Sequence, residues 1–194
     1  EMQAKILSDN RKNAIPVFKS KIENLLHKLG LEKAKVEVEL TPTKEFVLFG
    51  LEKIQLLFQA NQGFALKPIQ NAISGGERSR VMLAIKKLMA ENAELPTLIL
   101  DEIDTGVSGK IADEMGNVMQ DMAKDMQLIV ITHLAQVAAK GNNNYKVSKS
   151  DVSGKTQTQI LPLNQEEKLA EIAQLLSGST ITDAAIQQAK ELMK

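Results

Sequence analysis

The chain has 194 residues, 43% hydrophobic and 25% charged; that composition supplies one well-buried domain or one lobe of a larger globule and argues against disorder. Twenty-four basic side chains balance twenty-four acidic ones, so no large positive field draws the chain onto nucleic acid or anionic lipid. There is no cysteine, which excludes a disulfide framework and thiolate metal sites and weakly favours a reducing compartment, with cytoplasm the default expectation.

The longest apolar runs, 98–100 and 128–131, fall far short of the roughly 20 residues that span a bilayer. The first residues lack the apolar stretch of a secretory signal and enter a helical pattern almost at once, as an excised fragment would. Ile15, Phe18, Ile22, Leu25, Leu26 and Leu29 recur at helical steps, one face of a helix that Gly30 can end. Pro16 either opens that helix or kinks a longer one running from residue 2.

Val36, Val38 and Leu40 alternate with Glu37 and Glu39, a strand with one wet face that Pro42 is expected to end. A second β-like region covers 46–58, although 51–59 also reads as helix, and a turn follows at Asn61-Gln62-Gly63. Val81, Ile85, Leu88 and Met89 return to helical spacing, which predicts a helix over 75–92 with Ser74 as its N-cap.

A strand at 97–100, a helix at 110–124 and a strand at 127–132 come next. This order, with continuous apolar runs, predicts an α/β fold with a parallel sheet covered on both faces. A hairpin over 146–150 and 156–163, turning at Asp151-Val152-Ser153-Gly154, and two helices at 166–176 and 182–193 close the chain. No repeat, low-complexity segment or long linker divides it.

Three clusters carry chemistry. In Ser74-Gly75-Gly76-Glu77-Arg78 two glycines at a helix start let a ligand approach the backbone, and free N–H groups with the helix dipole favour an anion. Asp101-Glu102 ends an apolar strand, at the strand edge where open α/β sheets bind ligands; Asp101 suits Mg²⁺, and Glu102 suits orienting or deprotonating a water. His133 ends the next strand, and adjacent parallel strands bring it beside the carboxylates. Taken singly, each also has a plain structural reading: a capped turn, solvated loop acids and a satisfied polar side chain. His27, on the first helix, gets only the last of these.

In this order the clusters resemble the C-terminal half of an ABC-type ATPase head. The resemblance makes Ser74 to Arg78 the signature motif, Asp101-Glu102 the Walker B pair, Asp104 the D-loop position and His133 the switch histidine. Asp101-Glu102-Ile103-Asp104-Thr105-Gly106-Val107-Ser108-Gly109 is similar to the RecN form of this loop within the SMC-like class, whereas transporter ATPases usually carry a Pro-Thr/Ser-x-Leu-Asp continuation. Leu66-Lys67-Pro68-Ile69, Thr132-His133-Leu134-Ala135-Gln136-Val137-Ala138 and Glu171-Ile172-Ala173-Gln174-Leu175-Leu176-Ser177-Gly178 are similar to that family as well.

The resemblance implies the C-terminal lobe of an SMC-type head (31–194) with residues 1–30 as the base of a returning coiled-coil helix. A phosphate-binding loop, Gly-x-x-x-x-Gly-Lys-Ser/Thr, is absent from the sequence; Gly154-Lys155-Thr156 and Gly109-Lys110 fail its spacing. In the family that loop lies in an N-terminal lobe. ATP and Mg²⁺ are the implied cofactors. Glu102 and His133 would act on the nucleotide of their own head, and Ser74, Gly75, Gly76 and Glu77 would reach the γ-phosphate held by a second copy. Asp104 would signal across the interface, and DNA would be engaged by the full-length protein at the nucleoid in double-strand break repair and recombination. The alternatives are an ATPase subunit of a membrane transporter and a nonenzymatic interaction module.

Overall fold

The computed structural model describes residues 2–152, 155–178 and 180–194. The chain forms two compact units: one holds the residues up to Leu95 together with Thr105–Val107, the other Pro96–Asp104 and Ser108–Lys194.

In the first unit α1 (Met2–Lys28) runs continuously through Pro16, about 40 Å at 1.5 Å per residue. The longer of the two expected helices is therefore the one formed. Gly30, at φ 76°, ends it in a Schellman motif: Leu31 N–H bonds the Leu26 carbonyl at 2.9 Å and Gly30 N–H the His27 carbonyl at 3.0 Å. Ile22, Leu25, Leu26 and Leu29 are buried behind this cap, as their spacing predicts, and Leu31 beyond the cap is buried too; Ile15 and Phe18, on the same stripe, are half-buried.

β1 (Lys35–Val47) and β2 (Gly50–Gln59) form an antiparallel hairpin, with the two-residue β3 (Lys67–Pro68) beside β2. The helical alternative for 51–59 is not adopted. Nor does Pro42 end β1: it pairs with Glu52, and the register shifts before Val47 pairs with Gly50. β1 is an edge strand, where a residue without N–H is tolerated at an irregularity. The paired Val36 and Phe58 are both fully buried. After the short α2 (Ile69–Ala72), α3 (Gly75–Ala93) buries Val81, Leu83, Ala84 and Leu88 and packs against α1.

The second unit opens with β4 (Thr97–Asp101), α4 (Gly109–Met122) and β5 (Gln127–Ile131). The strands are parallel, with Ile99 opposite Ile129 and Asp101 opposite Ile131. The parallel pairing agrees with the sequence reading, but covering on both faces does not hold among the described residues. Leu100 is buried, while Ile99, Ile129 and Ile131 are 59%, 45% and 52% exposed; continuous apolar runs do not reveal which chain segment supplies the second cover.

α5 (Ala135–Lys140) has no signature in the sequence, since six residues carry too little periodicity to stand out. It packs on α4, where Gly116 lies against the Gln136 carbonyl and Lys140. β6 (Asn144–Val152) and β7 (Lys155–Leu163) form the expected hairpin with longer strands: Asp151 and Val152, expected in the turn, pair with Thr156 and Lys155, and the rest of that turn, Ser153-Gly154, lies outside the described residues. α6 (Gln165–Ser177), capped by Asn164, and α7 (Asp183–Leu192), capped by Thr182, pack with α5 around Ala135, Ala139, Ile172, Ala173, Ala185 and Ala189.

Candidate active site

The tip of β4 delivers Asp101 and Glu102 to the surface, both exposed. Glu102 adopts φ 49°, left-handed backbone that non-glycine residues rarely occupy and that costs on the order of 1–3 kcal/mol. Such strain at a strand tip turns the chain sharply. The next residues, Ile103 and Asp104, plunge inward, 8% and 0% exposed.

Asp104 enters an environment prepared by the end of β5. Its Oδ2 accepts a short hydrogen bond from the Thr132 hydroxyl, whose oxygen in turn accepts from Leu134 N–H at 3.0 Å. Its Oδ1 stands 3.7 Å from His133 Nδ1. The parallel register sets this up, because His133 follows two residues after Ile131, the partner of Asp101. Asp101, Glu102, Asp104 and His133 thus lie at adjacent strand ends of one unit. Thr132 lies in a segment similar to the family, with no role implied by the resemblance; the hydroxyl immediately before the histidine is the signal that marks it.

In the first unit Ser74 precedes α3 in extended backbone. Glu77 Oε2 accepts from Ser74 N–H at 2.9 Å and from the Ser74 hydroxyl at 2.7 Å, the return half of a capping box. Ser74 is therefore the N-cap its position predicts, with its hydroxyl proton already engaged; donating to an anion requires that hydroxyl to turn away from Glu77.

Gly75 faces open space, where an added Cβ would meet nothing within 4 Å. Gly76 is different: an added Cβ would collide with the Gly106 carbonyl oxygen. Ser79, buried, holds the same loop by donating to the Thr105 carbonyl at 2.9 Å. Arg80 Nε bonds the Gly76 carbonyl at 3.0 Å and its Nη1 the Leu29 carbonyl at 3.1 Å, tying the first turn of α3 to the end of α1. Burial lowers the Arg80 pKa, and Glu77 opposes that shift. Sequence reasoning assigned nothing to Ser79, Arg80 or Gly106.

Among the described residues no cluster of three or more His, Cys, Asp or Glu side chains is arranged to hold a metal ion. Asp101 fits Mg²⁺ in another way: an exposed oxygen donor at a strand tip suits a cation that keeps several waters and takes its other ligands from nucleotide phosphates. No helix among these residues is long and apolar enough to cross a membrane.

No protein-family model matches the chain. A DNA repair protein RecN from Vibrio cholerae is 40% identical over 174 residues, 89% of this chain and 31% of the relative. A RecN from Deinococcus radiodurans is 38% identical over 169 residues, 87% and 29%. The chain belongs to the RecN family. This RecN-family chain spans about a third of the length of those curated relatives.

Solved structures supply the fold. The Smc head domain with a coiled coil and joint from Pyrococcus yayanosii matches at TM-score 0.65 and 18% identity, covering 85% of this chain and 31% of that one. A chain from work on ATP-driven dimerization and DNA stimulated activation of SMC ATPases matches at TM-score 0.61 and 17% identity, covering 89% and 99%. The fold is that of an SMC-type head, as the sequence reading expects.

Proposed function

We propose that this RecN-family chain is the C-terminal lobe of an ATPase head that hydrolyses ATP between two paired copies and serves DNA repair and recombination. The observation that carries this reading is the meeting of Asp104 and His133, 3.7 Å apart, beside the Asp101-Glu102 tip of the adjacent strand. A carboxylate pair and an imidazole at neighbouring strand ends are the side chains that phosphoryl transfer to water needs.

Bound Mg²⁺ would neutralise charge on the nucleotide's phosphate oxygens, held through Asp101. Glu102 orients the attacking water and accepts its proton, and His133 contacts the terminal phosphate. Ser74, Gly75, Gly76 and Glu77 serve the nucleotide held by the other copy, with the open space at Gly75 giving a phosphate room to approach the backbone. Asp104 opens the loop that would sense the pairing. The exposed isoleucines of β4 and β5 support docking of the P-loop lobe, since a parallel sheet rests stably only when both faces are covered. DNA is engaged by the longer protein.

A head reassembled from this chain and a P-loop lobe tests the shared site by light scattering with and without ATP. Wild-type heads should pair with ATP, and Ser74→Arg should abolish pairing while each monomer still binds nucleotide. Pairing of the Ser74→Arg heads at wild-type strength would remove the signature motif from the interface.

A further inference from the structure

Among the described residues Asp104 is the one carboxylate whose burial is complete, 0% exposed. One of its oxygens is satisfied by the Thr132 hydroxyl. The other, Oδ1, is itself buried and has no hydrogen-bond partner, a costly state for a buried polar atom. His133 Nδ1 lies 3.7 Å from that oxygen, beyond hydrogen-bond length but within the reach of a small ring rotation. The imidazole is 64% exposed, so its outer edge is free to rotate.

A neutral imidazole carries one N–H, and the partner of one nitrogen decides which atom bears it. A carboxylate can only accept. Asp104 is anchored from behind through Thr132, which Leu134 N–H holds in turn, so the carboxylate is fixed and the ring adjusts to it.

We propose that Asp104 is a positioning residue for His133: its Oδ1 accepts a hydrogen bond from Nδ1–H, which keeps the proton on Nδ1, fixes the tautomer and points Nε2 outward at the reacting phosphate. Nε2 is then a lone-pair acceptor for a water, or a donor to a phosphate oxygen once the ring carries a second proton. This assignment rests on the ATPase reading for its purpose and on the Asp104–His133–Thr132 geometry for its substance. Asp104 acts within its own chain, through the histidine.

Long-range ¹H–¹⁵N NMR of the uniformly labelled 194-residue chain reads the tautomer directly, without nucleotide, at about pH 8.5, well above the ordinary histidine pKa. The chain has only two histidines, and His27→Gln identifies the His133 signals. Wild type should show a majority Nδ1–H tautomer, and Asp104→Asn, whose amide can donate to Nδ1, should invert that majority. Thr132→Val, which frees the carboxylate, should weaken it.

A wild-type majority of Nε2–H, or a tautomer ratio unchanged in Asp104→Asn, overturns the proposal, and the wild-type spectrum decides even if the variant does not fold. Loss of the ATPase reading would instead appear as a reassembled head that turns over ATP independently of His133 while this Nδ1–H signature persists.

Discussion

Gly76 and Gly106 touch backbone to backbone: a Cβ on Gly106 would stand 3.1 Å from the Gly76 nitrogen, and a Cβ on Gly76 would strike the Gly106 carbonyl oxygen. Gly75, one residue earlier, meets nothing. The two signature glycines therefore do different work, the first leaving space and the second locking the helix start onto the loop 105–107. Gly76→Ala should cost about 1–3 kcal/mol, as for overpacking. Gly75→Ala should match wild type or exceed it by up to about 1 kcal/mol, since the methyl restricts the unfolded chain, yet weaken ATP-dependent pairing of the reassembled head. Urea titrations of both variants, beside pairing assays, check the split.

Glu102 holds left-handed backbone at φ 49°, and that strain can be measured apart from its side chain. Glu102→Ala and Glu102→Gly both delete the carboxylate, but only glycine relaxes the backbone. The glycine variant should be the more stable of the two by about 1–2 kcal/mol. Equal stabilities, or a more stable alanine variant, would contradict the strained turn.

Lys168 is buried and donates its Nζ hydrogen to the Gly141 carbonyl at 2.7 Å. Desolvation lowers its pKa below the ordinary 10.5. As pH rises toward 10.5, the folded state gives up this proton before the unfolded state does. The unfolded chain then binds more protons, and stability rises with pH. Wild type should therefore gain stability relative to Lys168→Met between about pH 8 and 10, in the window just below the unfolded value. A gap that narrows or stays constant across denaturation curves would contradict the sign.

The 194-residue chain by itself should hydrolyse no ATP. It has no phosphate cradle, and electrostatic stabilisation worth several kcal/mol is missing with it. A coupled phosphate-release assay checks this: turnover by the pure chain that Glu102→Gln abolishes would contradict it.

Local features were legible where a single segment specifies them. The stripe from Ile22 to Leu29 with Gly30 behind it gave α1, and the Val36 to Leu40 alternation gave the start of β1. The parallel pairing of β4 and β5 followed from their apolar runs and the helix between them. What stayed hidden depends on partners distant in sequence. Pro42 continues its strand because β1 lies at an edge, a fact of topology. Thr132 meets Asp104 across a separation of 28 residues, and Gly76 needs Gly106; neither pairing has a local signature. The open isoleucine face of β4 and β5 could not be told from a covered one, because the same apolar run specifies both.

In the proposed reaction Glu102 activates the water that attacks ATP. Single-turnover phosphate release by Glu102→Gln in the reassembled two-lobe head measures that role. ATP binding should persist, paired heads should accumulate, and hydrolysis should slow by about 10²-fold or more. Hydrolysis at the wild-type rate would contradict the account.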